Sequence, residues 1–274
     1  MAFNTLKIIK TLASTAILAS AVLLTGCGQS SDENSPLKVG VMAGPETDVM
    51  KVAVEIAKRD HNVDVQLIEF SDYVSPNVAL ADGSIDANAF QHRPYLDSMV
   101  RDRGFELVAV GNTFVYPIAA FSKRIKDISE LKDGATIAIP NDPSNEGRTL
   151  ILLDQQGFIK LKDINNLEAT PADIAENPRN FKFIELDAAQ LPRSLDDVDL
   201  AFINNTYSVP AGYIPARHGL LVEGKDSPYV NIIVSRENNK EDPRIAALVK
   251  SYQTEAVEAK GEELFKGSSV AGWK

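Results

Sequence analysis

Two neighbouring stretches decide the fold: Leu37-Lys38-Val39-Gly40-Val41-Met42 and Val63-Asp64-Val65-Gln66-Leu67-Ile68-Glu69-Phe70. The first alternates apolar and small or polar residues with the period of a strand, and the second is rich in the apolar residues that strands favour. Between them, Ala43-Gly44-Pro45 reads as a loop and Thr47 as the N-cap of a helix over 48–59. Within that helix Val49, Met50, Ala53, Ile56 and Ala57 fall on one face. Strand, helix, strand predicts a parallel pair joined by a right-handed crossover.

Working outward, the alternation continues. A helix is expected over 75–82, closed by Gly83, then a short strand over 85–90 and a helix from Tyr95 to Arg103 stopped by Gly104. A second series opens with Ala135-Thr136-Ile137-Ala138-Ile139-Pro140. Asp142-Pro143 follows, an N-cap residue and a proline at the first helical position, and the helix runs to about Gln156 with Gly157 as its stop. Further strands read over 181–186, 198–203 and 229–234, and Pro243 opens a helix with Ile245, Leu248, Val249 and Tyr252 on one face. Strands alternating with helices define an α/β protein. With no Gly/Ser linker between the series, two lobes joined by hinge strands are expected. The first spans 37–115 plus about 229–274, the second 116–228.

Residues 1–26 read as a secretory signal: Lys7 and Lys10, an apolar and small run from Leu12 to Leu24, then Thr25-Gly26 before Cys27. The run is shorter than the ~20 residues a spanning helix needs. Leu24-Thr25-Gly26-Cys27 resembles the bacterial lipobox, which implies cleavage before Cys27, diacylglycerol on its thiol and an acylated amino terminus. Residues 28–36 are small and polar, a flexible tether. Cleavage would remove two lysines and no acid, taking the formal net charge from −10 to −12.

The rest of the composition excludes more than it names. The 274 residues are 44% hydrophobic and 24% charged, ordinary for a globular protein. The acidic balance argues against a nucleic-acid partner. One cysteine excludes an intrachain disulfide and a thiol-rich zinc site, and His61, His92 and His218 have no metal-ligand spacing. No phosphate-binding glycine motif and no G-x-S-x-G elbow is present, so neither a nucleotide cofactor nor a hydrolase has a signature here.

Three segments carry more polar and aromatic residues than plain structure needs. Phe90-Gln91-His92-Arg93-Pro94-Tyr95 follows a strand, where open α/β sheets bind ligands, and Phe90, His92 and Tyr95 could wall an apolar pocket or simply be core. Pro140-Asn141-Asp142-Pro143-Ser144-Asn145-Glu146-Gly147-Arg148 joins a strand end to a helix N-terminus, which favours an anion. Arg148 could grip a carboxylate there, or pair with Glu146 or Asp142 on the surface. The third set is Ile203-Asn204-Asn205-Thr206-Tyr207 with Ser227-Pro228-Tyr229-Val230-Asn231, where amide oxygens could accept from an ammonium. Together they suit a small zwitterion with an apolar side chain.

These three segments, with Gly111-Asn112-Thr113-Phe114-Val115-Tyr116-Pro117-Ile118 and Gln190-Leu191-Pro192-Arg193-Ser194-Leu195-Asp196-Asp197, resemble the methionine-binding NlpA lipoproteins of bacterial ABC importers across essentially all of 37–274. The resemblance implies a two-lobed periplasmic-binding-protein fold, type II-like, closing on free methionine (the L form expected) and docking on an ABC permease and its ATPase. It implies no catalysis and no cofactor. It implies an envelope protein anchored through Cys27, on the periplasmic face of the inner membrane or on the outer membrane. Carried over residue by residue, Arg148 holds the ligand carboxylate. Asn204 and Asn231 bind the α-amino and carboxylate groups. Tyr73, Phe90, His92 and Tyr95 surround the thioether, and Asn145 is a polar neighbour. The family usually has Thr where this chain has Asn205. The alternatives are the same fold with D-methionine, a methionine derivative, a short peptide or another apolar amino acid, or a surface adhesin or scaffold.

Overall fold

The structure, a computed structural model, describes residues 35–224 and 227–274. The signal segment, Cys27 and nearly all of the tether lie outside the described residues.

The chain opens with β1 (Leu37–Met42), α1 (Pro45–His61), β2 (Val65–Phe70), α2 (Ser75–Ala81), β3 (Ala87–His92), α3 (Arg93–Arg103) and β4 (Leu107–Val115). The middle holds β5 (Ala119–Phe121), β6 (Thr136–Pro140), α4 (Pro143–Gln155), the hairpin of β7 (Lys160–Leu161) and β8 (Ile174–Glu176), β9 (Lys182–Leu186), α5 (Leu191–Ser194), β10 (Leu200–Ile203), α6 (Asn205–Ser208), α7 (Pro215–His218) and β11 (Leu221–Val222). The chain ends with β12 (Val230–Arg236), α8 (Pro243–Tyr252), α9 (Glu255–Phe265) and β13 (Val270–Ala271).

Two sheets organise these elements. The first has the order β13-β4-β12-β3-β1-β2 and the second β11-β5-β10-β6-β9. As the opening stretch predicts, β1 and β2 pair in parallel, Leu37 opposite Val65 through Met42 opposite Phe70. The chain crosses from the first sheet to the second between Val115 and Ala119, and returns between Val222 and Val230.

Both sheets bury two faces, because side chains alternate along each strand. In the first, Leu37, Val39 and Val41 pack with Val49, Met50 and Ala53 of α1 and with Ile245, Leu248 and Phe265 of α8 and α9. The opposite face joins Leu80 of α2 and Leu96 of α3 to Ile232 and Val234 of β12. In the second sheet Ile137, Ile139, Leu200 and Phe202 meet Leu150 and Leu153 of α4. Ala138, Ala201 and Ile203 meet Leu191 and Leu195 on the other side.

The caps explain where helices start. At α4, Asp142 accepts from the Asn145 amide at 3.0 Å with Pro143 next in line, as its sequence predicts. At α1 the expectation fails. Pro45 takes the first helical position, where a missing N–H costs nothing, and Gly44 precedes it at φ 111. Thr47 lies inside the first turn instead of capping it, and its hydroxyl donates to the Met42 carbonyl at 2.7 Å. The short strand expected over 85–90 runs instead over Ala87–His92, so His92 ends a strand and caps α3. Strands β4 and β5, the β7–β8 hairpin and helix α9 had no counterpart in the sequence reading.

Candidate functional site

Phe90 and His92 lie in the last three residues of β3, Tyr73 and Asn204 follow the ends of β2 and β10, Tyr95 lies in the first turn of α3, and Asn145 and Arg148 lie in the first two turns of α4 after β6. Asn231 joins them because β12 runs antiparallel to β3 and pairs Asn231 with His92. All eight residues singled out in the sequence, Tyr73, Phe90, His92, Tyr95, Asn145, Arg148, Asn204 and Asn231, line one cavity. Gln91, Tyr116, Asn205 and Thr206 complete its walls. It takes in about 340 Å³ of atom-free space, part of it open to solvent. The space is a narrow slot.

One wall is aromatic. Tyr73 lies 5.9 Å from Phe90 and 6.2 Å from Tyr95, ring centre to ring centre, and Phe90 meets Tyr95 edge-on at 6.0 Å. The Tyr95 hydroxyl donates to the Tyr73 carbonyl at 2.8 Å, which satisfies its polar end. Behind this wall Asn77, Asn88 and Gln91 form a fully buried amide network, with Gln91 donating to Asn77 at 2.6 Å and to Asn88 at 3.0 Å. A satisfied network of this kind holds β3 and α2 in one arrangement.

Arg148 supplies the cation. It is 3% exposed, and the surface pairing with Glu146 or Asp142 weighed in the sequence does not occur. Its Nε donates to Glu223 at 2.9 Å, and its Nη2 donates to the other Glu223 oxygen and, at 3.0 Å, to the Tyr116 carbonyl. The Tyr229 ring lies 4.5 Å from the guanidinium carbon. Among the described residues Nη1 has no hydrogen-bond partner, and Arg148 lines both this cavity and a second one shared with Glu223, Ser227 and Tyr229. Sequence reasoning missed Glu223, which sits in no motif.

Asn145 is a hub rather than a neighbour. Its Nδ2 faces both Asp142 oxygens at 3.0 Å, which fixes its Oδ1 toward the cavity. That oxygen accepts from Asn204 at 2.8 Å and faces His92 Nε2 at 3.2 Å. The His92 Nδ1 accepts from the Tyr95 amide, so its proton sits on Nε2 and points at Asn145. Burial, with the Arg148 charge behind it, pushes the His92 pKa down to about 3, leaving it neutral. Burial also raises the Asp142 carboxyl above its ordinary range.

With its Nδ2 spent on Asn145, Asn204 presents Oδ1, a buried oxygen without a hydrogen-bond partner among the described residues. An orphaned buried acceptor costs about 1–3 kcal/mol unless a donor arrives. Asn231 donates one N–H of its Nδ2 to the Phe90 carbonyl at 3.1 Å. Asn205 is 1% exposed, donates to the Ser268 carbonyl at 3.2 Å and also keeps an unpartnered Oδ1. The slot thus offers one cationic edge, amide acceptors and an aromatic end. Among the described residues no cluster of His, Cys, Asp and Glu is arranged to hold a metal ion.

A chain with two α/β sheets, crossed twice and holding such a slot beyond its strand ends, has the two-lobed architecture of periplasmic substrate-binding proteins. It belongs to the NlpA lipoprotein family, whose model matches residues 37–273. A Vibrio cholerae relative, named as a probable D-methionine-binding lipoprotein MetQ, is 54% identical over 97% of this chain and 98% of its own. A periplasmic substrate-binding protein of an ABC transporter from Coxiella burnetii superposes with a TM-score of 0.83 at 49% identity, covering 86% of this chain and 100% of that one. A nutrient-binding protein from Burkholderia cenocepacia, solved bound to methionine, gives a TM-score of 0.83 at 48% identity over 86% and 99%.

Proposed function

We propose that this chain binds free methionine, the L form first, and delivers it to the permease of an ABC importer without catalysing a reaction. The observation that carries this reading is the pairing, in one narrow slot, of the free Arg148 edge and the orphaned Asn204 oxygen with an aromatic wall. In this reading Arg148 Nη1 takes the carboxylate, with the second N–H of Asn231 Nδ2, whose first goes to the Phe90 carbonyl, as a further donor. The Asn204 oxygen accepts from the ammonium. Tyr73, Phe90, His92 and Tyr95 surround the thioether, where sulfur against ring edges contributes ~0.3–1.5 kcal/mol per contact.

The two lobes are 37–115 with about 229–274, and 116–228, and the slot lies between them. Lipid on Cys27 tethers the protein to an envelope membrane. Among the described residues no helix is long and apolar enough to cross one.

D-methionine is the second reading, supported by the name of the Vibrio cholerae relative. Native mass spectrometry of the purified chain, before and after unfolding and refolding, tests the class of ligand. Retained mass equal to methionine is expected, and calorimetry with L- and D-methionine then ranks the enantiomers. No heat with either, on refolded protein, sinks the assignment.

A further inference from the structure

We propose that Glu223 sets the charge class of the ligand: by cancelling Arg148 it makes the slot accept zwitterions and refuse anions of the same shape. The proposal rests on the methionine reading and adds a specificity residue that the reading does not contain.

Among the residues lining the slot, Arg148 is the one cation and no carboxylate is present. Its charge is met from behind, by a carboxylate 11% exposed that engages both Nε and Nη2. Glu223 is itself held in place. Ser227 Oγ donates to one oxygen at 3.0 Å and the Ile118 amide approaches the other at 3.4 Å. These contacts come from the two crossings between the sheets, so the pair is built into the chain path and is not a chance surface contact.

Three other carboxylates stand near the slot: Asp142, half-buried, and Glu46 and Glu146, both buried. Asp142 faces the Asn145 amide and the N-terminus of α4, and Glu46 faces the Thr206 hydroxyl. None of the three is bonded to Arg148, although its charge favours the ionised form of Asp142. A ligand that brings one positive and one negative group therefore leaves the Arg148–Glu223 pair balanced. A ligand that brings only a carboxylate adds an uncompensated charge to a buried site, where unlike and like charges act strongly.

Calorimetry on the refolded chain tests this with two ligands of matched shape, L-methionine and 2-hydroxy-4-(methylthio)butanoate, in which a hydroxyl replaces the ammonium. The wild-type chain should prefer methionine by about tenfold or more. Glu223→Gln should shift that ratio toward the hydroxy acid by about tenfold or more, because the guanidinium charge is then free. Glu223→Asp keeps the charge but shortens the reach, so both affinities should fall while the ratio stays within about threefold of wild type.

A Glu223→Gln variant that weakens both ligands equally assigns Glu223 a purely structural role and overturns the proposal. If that variant does not fold, a shifted ratio in Glu223→Asp, or equal binding of both ligands by wild type, overturns it instead. Failure of wild type to bind methionine overturns the ligand assignment and this proposal together. Normal methionine binding with an unmoved ratio overturns this proposal alone.

Discussion

Replacing Arg148 by methionine separates its two roles. The substitution keeps the length of the side chain and removes the guanidinium. Glu223 is then a carboxylate 11% exposed, left with the Ser227 hydroxyl and the Ile118 amide. Stranding one partner of a buried pair costs about 3–5 kcal/mol of stability, and loss of the stack on Tyr229 adds up to about 2 kcal/mol. Ligand binding loses a separate ~2–5 kcal/mol, because the carboxylate no longer meets a buried cation. That is roughly thirty- to several-thousandfold in Kd. Urea melts report the first quantity and calorimetry with methionine the second. The double variant Arg148→Met with Glu223→Gln recovers most of the stability, since the stranded charge is gone, and recovers none of the binding. A folded Arg148→Met protein with Kd within about threefold of wild type would refute the assignment of the fork to the ligand.

Three further outcomes are expected. Asn204→Ala removes the orphaned oxygen, so affinity for methionine falls by about 1–3 kcal/mol while stability changes by less; an unchanged calorimetric Kd contradicts the role given to that oxygen. Burial raises the Glu46 carboxyl from 4.5 to about 7 despite the Thr206 hydroxyl bonded to it. The native state thus holds a proton that the unfolded chain releases, and this group costs stability progressively as pH rises from 4.5 to 7. Glu46→Gln should therefore stabilise by about 3 kcal/mol at pH 8 and by almost nothing at pH 4, and equal gains in urea melts at both values would dismiss the account. Cys27→Ser should abolish acylation and move the protein from the membrane to the soluble fraction of lysed cells; unaltered partition into detergent would remove the lipid anchor from the proposal.

The parts of this protein that its sequence discloses are those governed by local chemistry. Asp142-Pro143 announces α4 because a cap and a proline at the first position act within one turn. The same logic misplaced the start of α1, where Thr47 is a competent cap but Pro45, two residues earlier, is the better starter. Strand β4 escaped notice because Gly111 and Asn112 interrupt its middle, and both are poor strand residues. The glycine is required by packing: a Cβ there would stand 2.6 Å from Val249. A sequence read in windows does not see that neighbour.

Seven of the eight cavity residues stood in segments whose polar and aromatic content the sequence showed, while Tyr73 was legible only through the family resemblance. Glu223 was not legible, since it meets Arg148 across 75 residues and belongs to no pattern. The role of Asn145 was also hidden. Only the placement of Asp142 on one side and His92 and Asn204 on the other makes it a junction.

The narrowness of the slot has a consequence for time rather than for affinity. Its walls come from both sheets, with His92 of the first bonded to Asn145 of the second, and Glu46 of the first bonded to Thr206 of the second. These two bonds tie the halves together across the slot. Entry and exit must wait for the two halves to part, so the measured on-rate should sit below the diffusional limit and saturate with ligand concentration. Residence would then follow the opening rate, and protein taken from cells would carry its passenger through dialysis.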